Sequence, residues 1–313
     1  MRNRSLIGAV IVMLVAAFLG CAKQEKITAP SQASFNTADE AVAALITAAE
    51  KQDTGALLRL LGRGTGTLIS SGDSTADRRE WQAFVAQYQA YHQLVEGSPD
   101  HLVLLVGEDR WPVPIPLVRS DSRWSFDGDA GAEELVLRRI GANELRTIDV
   151  MQGFVAAQME YFATGHDGAA PGVYAQKLRS DLGKHNGLYW DVAPGEPQSP
   201  AGPLLAAAAS EGYASTHPSG TSPYHGYLFR PLTSQGHAAN DGARNYLADG
   251  KLTGGFALLA YPATYAASGV MTFVVNQDEV VWQRDFGKDT SQAVAAIRQF
   301  DPDISWTPIA LEQ

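Results

Sequence analysis

Residues 143–163, NELRTIDVMQGFVAAQMEYFA, and residues 256–281, FALLAYPATYAASGVMTFVVNQDEVV, decide how this chain folds. In the first, Leu145, Ile148, Met151, Val155, Met159 and Phe162 recur every three or four residues. That spacing puts one apolar stripe on a helix, predicted from about 131 to 164 and ended by Gly165-His166-Asp167-Gly168. In the second, Val270 to Val275 is apolar on successive residues, so both faces of that strand must be covered and it belongs at the centre of a sheet. Val280 to Arg284 alternates more, as a strand nearer an edge would. With Tyr224–Leu232 and Gly255–Tyr261 these runs predict a four-stranded antiparallel meander carrying the long helix, with Val155 and Met159 against Phe273 and Val275. Thr290 is expected to cap a last helix reaching Phe300.

Upstream, Thr37-Ala-Asp-Glu40 has capping-box spacing and opens a helix with Ala41, Leu45, Ala48 and Ala49 on one side. Asp53 caps a second helix ending at Gly62, and Gly62 to Gly66 is predicted as loop. A third helix is expected over about 78–94, where Trp81, Phe84, Val85, Tyr88 and Tyr91 share a face. Strands follow at 101–106, 113–118 and 123–126, with Pro112, Pro114 and Pro116 confining the middle one to an edge or an irregular extended segment. Helices followed by a curved meander are similar in element order to cone-shaped, cystatin-like α+β domains. The fold class expected is therefore α+β, with an N-terminal domain over 36–130 and a second over 131–313. Between the long helix and the second meander lies an irregular connector, with short helices expected near 173–182 and 203–211.

The first twenty residues read differently. Arg2 and Arg4 precede an apolar run from Leu6 to Leu19, then Gly20-Cys21. A basic start, a short apolar core and a small residue before the cut describe a secretory signal. Cys21 directly after it resembles the lipobox of bacterial lipoproteins, although Phe18 stands where Leu is usual. The resemblance implies removal of 1–20, lipidation (palmitate-type acylation) of Cys21, and a polar tether over 21–35. Ala22 after the Cys implies the outer membrane rather than the inner one, with the protein facing the periplasm. The apolar run is short of the ~20 residues that span a bilayer.

Composition narrows the function classes. Once Arg2 and Arg4 are taken from the 24 basic residues, 22 oppose 34 acidic ones. That balance argues against nucleic acid and against polybasic attachment to anionic lipid. Cys21 is the only cysteine, so the mature chain has no intramolecular disulfide, Cys-ligated zinc or further thiol nucleophile. The seven histidines (92, 101, 166, 185, 217, 225 and 237) form no H-E-x-x-H and no helical i, i+4 pair, and are expected to be solvated or hydrogen-bonded loop residues. Asp127-Gly-Asp-Ala-Gly-Ala-Glu-Glu134 is acidic enough for a calcium loop but places Arg138 where an EF-hand needs its twelfth ligand. It reads instead as a turn into the long helix, with acids favoured by the helix dipole. Ser234, His237 and Asp241 have the residue types of a catalytic triad but no G-x-S-x-G elbow, and nothing matches a phosphate-binding loop. No metal and no cofactor are expected. Tyr189 and Trp190, in Gly187-Leu-Tyr-Trp190, are the best candidates for a contact surface, which would leave them more than about a third exposed; the favoured alternative is that they pin the connector to the second meander. Arg230 is the candidate for an ion pair or an anion.

Several long segments together resemble one bacterial family. They are WPVPIPLVRSDSRWSFD (111–127), RRIGANELRTI (138–148), GLYW (187–190), SPAGPLLAAA (199–208), GYLFRPLTSQG (226–236), GKLTGGFALLAYPATY (250–265) and GVMTFVVNQDEVVWQRDFG (269–287). They identify the chain with domain of unknown function 2950, over nearly everything after residue 35. Glu279 departs from the family pattern, which has Gly after the Asp. The helix-then-meander half is also similar to type IV pilin and pseudopilin headgroups, without their apolar polymerising half-helix.

The function expected from these features is a lipid-anchored envelope protein acting as an interaction or assembly module with an envelope protein partner, and no catalytic signature points to an enzyme. The alternative is a small-ligand binder or hydrolase with a pocket in the N-terminal domain or where it meets the long helix.

Overall fold

In the computed structural model the described residues are 32–309, except 169, 194 and 214–221. The signal, Cys21 and most of the tether lie outside them, as does His217.

Four helices come first: α1 (Ala38–Lys51), α2 (Thr54–Leu61), α3 (Gly66–Ile69) and α4 (Ser74–Ala90). The Thr37 capping box forms as expected, with Glu40 N–H on Thr37 Oγ1 at 3.1 Å and the Glu40 carboxylate returning to the cap backbone. Asp53 caps α2. Two differences follow. Gly62–Gly66 is not loop, because Arg63–Thr65 forms a 3-10 turn that runs into α3. And α4 starts and stops four residues early, since Asp73 caps it and His92–Ser98 is a strand, β1. The apolar residues Tyr91 and Leu94 keep the helical spacing of Phe84 and Tyr88, which hides the switch.

β1 pairs with β2 (His101–Val106), which also pairs with β3 (Trp111–Pro112) and with β4 (Leu117–Ser120); β5 (Arg123–Phe126) closes the sheet beyond β4. The three prolines leave 113–116 outside the ladder. Helix α5 (Gly128–Thr164) then runs 37 residues, capped by Asp127. The acidic stretch around Asp127 is thus a helix start. Its glycines serve packing: a Cβ at Gly131 would stand 2.2 Å from Pro114 O, and one at Gly128 1.9 Å from Leu61 O. The helix can approach α2 and the 113–116 segment only because both positions lack side chains.

After α5 come α6 (Gly202–Ser210), β6 (Tyr227–Leu232), β7 (Ser234–Gln235), β8 (Arg244–Asn245), β9 (Leu247–Ala248), β10 (Lys251–Leu252), β11 (Ala257–Pro262), β12 (Met271–Asn276), β13 (Trp282–Asp285), α7 (Thr290–Ala296) and β14 (Thr307–Pro308). The second large sheet is antiparallel, in the order β14-β13-β12-β11-β6. β12 is its central strand, as the double-sided apolar pattern predicted. Residues 173–182 form no helix, and α7 ends at Ala296 rather than Phe300. Glu279 sits at φ +66°, in the left-handed region that glycine occupies without cost. The family's Gly at this position suits the turn, and the Glu departs from it without changing it.

Register assigns the faces of the sheet. Tyr227, Phe229, Leu258, Ala260, Phe273 and Val275 fall on one side, Arg230, Leu259 and Val274 on the other. The first side faces α5, since Tyr227 Oη lies 3.4 Å from Glu144 on that helix. The same Glu144 carboxylate accepts the Val270 and Met271 N–H groups at 2.9 and 3.0 Å, seating the start of β12 on α5.

Two apolar clusters make the core, and α5 supplies both. Val136 and Ile140 join the cluster of α1, α2 and the first sheet, whereas Met151, Phe154 and Val155 join Phe256, Phe273 and Val275. The buried stripe is not purely apolar. Asn143, Thr147 and Gln158 are buried, while Leu145 is 67% exposed. Each polar member has its partner: Asn143 Nδ2 donates to Ser268 O, Thr147 Oγ1 to Asn143 O, and Gln158 bonds both N–H and C=O of Ala175. Buried polar groups with complete hydrogen bonds cost little, so helix rotation follows those partners rather than hydrophobicity alone.

Candidate functional site

Beside the β6 edge of the second sheet lies a cavity of ≈ 690 Å³. Phe154 of α5, Leu204 and Leu205 of α6, and Phe229, Phe256 and Leu258 of the sheet give it an apolar lining. Helix α6 is held close to α5 at Gly153, where a Cβ would stand 2.9 Å from Leu204 Cδ2. A second, more open hollow lies between α4 and β2 in the N-terminal part, bordered by Gln87, Glu108, Asp109 and Trp111.

One end of the cavity is polar and built around Asp73, which is 2% exposed. Its Oδ1 caps α4 by accepting from the Thr75 and Ala76 N–H groups at 3.1 and 3.0 Å. Its Oδ2 accepts from Tyr213 Oη and from Gly226 N–H, both at 2.9 Å. One carboxylate therefore ties together the start of α4, the segment after α6 and the turn before β6. His225 N–H donates to Tyr213 Oη at 3.2 Å, and the Tyr213 and Tyr224 rings meet edge to face at 4.8 Å. Burial, together with the Asp73 charge, raises the Tyr213 hydroxyl well above its ordinary range; burial and Glu211 push Tyr224 up to about 12. Both phenols stay protonated, Tyr213 as the donor to Asp73, so neither is a nucleophile at neutral pH.

Just outside this end, Glu211 accepts from Arg79 Nη1 at 2.6 Å and lies 3.4 Å from His225 Nε2. His225 is 4% exposed at φ +50°, a turn residue that is hydrogen-bonded rather than solvated. Burial lowers its pKa, with Arg146 and Arg79 acting the same way and Glu211 opposing.

The residues singled out from the sequence sit elsewhere. Tyr189 and Trp190 are half-buried rather than exposed and pack on the second core cluster. His185 stacks on Trp190 at 4.2 Å; Tyr189 Oη donates to Asp191 at 2.8 Å, and the Arg179 guanidinium lies over the Tyr189 ring. These contacts pin the connector. Arg230 lines the cavity through a strand whose side chain here points to the opposite face. There its Nη2 donates to Val294 O and Ile297 O, at the C-terminal end of α7, where a cation is favoured. Among the described residues no carboxylate pairs with it, unlike the ion pair anticipated. Ser234 belongs to β7, and His237 and Asp241 are exposed loop residues. Among the described residues no three His, Cys, Asp or Glu side chains gather as metal ligands, and no helix is long and apolar enough to cross a membrane.

Sequence reasoning missed Asp73, Tyr213 and Tyr224. The one available signal is Asp73 as the cap of α4, obscured because the aromatic spacing from Trp81 onward places the helix start at about 78. Nothing local joins Asp73 to residues 140 positions away.

The fold and site thus define an α+β protein with a ligand-sized apolar cavity closed at one end by a buried carboxylate. The chain belongs to the family described as "Protein of unknown function (DUF2950)", whose model matches residues 32–309. No curated protein and no solved structure matches it, and the likenesses to pilin headgroups and to cystatin-like domains gain no support there.

Proposed function

We propose that this protein binds a small, mainly apolar ligand in the cavity between α5, α6 and the second sheet, and does so in the bacterial envelope, tethered by lipidated Cys21. One observation carries the reading: a concave space of ≈ 690 Å³ with apolar walls and a few convergent polar groups, within the range of about 300–1,000 Å³ usual for ligand sites. The half-buried state of Tyr189 and Trp190 weighs against an assembly module docking through that loop. The protonated phenols and the fully hydrogen-bonded Asp73 weigh towards binding rather than hydrolysis.

The fluorescent apolar probe N-phenyl-1-naphthylamine is expected to bind the purified protein with micromolar affinity. Ala208 lines the cavity from the partly exposed side of α6, so Ala208→Trp should fill the space and weaken the probe at least ~10-fold with an unchanged fold by circular dichroism. Equal probe binding to both proteins would refute the site. Tethering has a separate readout. One acyl chain holds a protein only weakly, about 10⁴ M⁻¹, and two or more hold it stably. Cys21→Ser should therefore move the protein from the membrane fraction to the soluble one; a membrane-bound Ser variant would end that part of the reading.

A further inference from the structure

The cavity wall formed by β6 is, among the described residues, a sheet edge, and its backbone determines what the ligand must offer. Among the described strands β6 is the terminal one of its sheet and pairs with β11. Two sets of bonds show which residues face outward. Ala263 N–H donates to Gly226 O at 2.9 Å, which makes the opposed Tyr227 and Pro262 a non-hydrogen-bonded pair. Tyr227 instead exchanges both its backbone bonds with Tyr224, away from β11, at 2.8 and 3.1 Å. By alternation Leu228, Arg230 and Leu232 bond to β11, while Phe229 and Pro231 direct their backbone groups into the open. Pro231 has no N–H. Beyond Tyr227, whose outward groups Tyr224 takes, Phe229 is the residue of β6 with both an N–H and a C=O turned outward, and neither has a partner among the described residues. Phe229 lines the cavity near Phe154, Phe256 and Leu258, so a ligand seated there can offer partners to both groups.

We propose that the cavity takes an N-acylated amino-acid unit, its acyl chain among Phe154, Leu204, Leu205 and Phe256 and its single residue paired with Phe229. The ligand amide N–H donates to Phe229 O, and the carbonyl on the other side of the ligand's α-carbon accepts from Phe229 N–H. A lone trans amide cannot make both bonds, because its N–H and C=O point in opposite directions. A longer peptide strand would gain at most one further bond, to Pro231 O, because Pro231 has no N–H and Tyr224 occupies Tyr227 on the other side. The anionic Asp73 at the polar end favours a neutral terminus, such as an amide, over a free carboxylate.

This inference rests on the cavity being a ligand site, and the test separates the two. N-dodecanoyl-glycinamide and its counterpart with an ester oxygen in place of the amide N–H are competed against N-phenyl-1-naphthylamine. The amide compound is expected to bind ~10-fold more tightly, because the ester leaves Phe229 O facing an oxygen. Phe229→Ala should keep that ratio, since the backbone remains. Phe229→Pro, tolerable on an edge strand, should bind both compounds ~10-fold more weakly than Phe229→Ala. Equal affinity of the amide and the ester for the wild-type protein overturns the proposal even if Phe229→Pro fails to fold. Failure of the naphthylamine probe to bind at all overturns the cavity reading itself.

Discussion

Asp73→Ala is expected to lower the free energy of unfolding by about 3–5 kcal/mol, a large fraction of the 5–15 kcal/mol typical of a domain. The substitution removes a helix cap, worth ~1 kcal/mol. It also leaves the Tyr213 hydroxyl and the Gly226 N–H without their acceptor, each at about 1–3 kcal/mol when buried. Asp73→Asn should fall between the two, because one side-chain oxygen still caps α4 while the new NH2 group faces two donors. Urea denaturation followed by circular dichroism measures both. A loss under about 1 kcal/mol for Asp73→Ala would mean that the three segments do not depend on this carboxylate. The same variant should lose probe affinity, since Tyr213 and Tyr224 form part of the cavity wall.

Val155→Asp is expected to cost at least about 4 kcal/mol and to leave little folded protein at 37 °C. Val155 is 5% exposed and belongs to the cluster that includes Phe273 and Val275. A carboxylate in that apolar cluster must either remain charged in an apolar setting or take up a proton. Val155→Ala, which only vacates volume, should cost about 2 kcal/mol. Thermal melts of the two variants side by side distinguish charge burial from cavity formation. Similar small losses in both would place residue 155 at a yielding, water-accessible position.

What could be read along the chain is what depends on neighbours in sequence. The capping box at Thr37, the Asp53 cap, the length of α5 and the central place of β12 each follow from spacing over a few residues, where propensity and periodicity act. The family likeness was legible for a similar reason, since it resides in contiguous segments such as GVMTFVVNQDEVVWQRDFG. The α4-to-β1 switch was not legible, because apolar residues at shared spacing satisfy a helix and a strand equally until the β2 partner is present.

The rotation of α5 and the site were decided by tertiary structure alone. Leu145 lost its place in the core to Asn143 and Thr147, because burial is cheap for a polar group whose partner, Ser268 O in the case of Asn143, arrives from 125 residues away. Asp73 reads in sequence as a turn residue before a helix. It becomes the organiser of the cavity only when Tyr213 and Gly226 reach it across 140 and 153 residues. Phe229 carries no side-chain signal of its role, since its outward N–H and C=O result from strand order and register. Backbone groups are the same at every position, so sequence determines which segments become strands and helices, and only their packing decides which of those groups is left free.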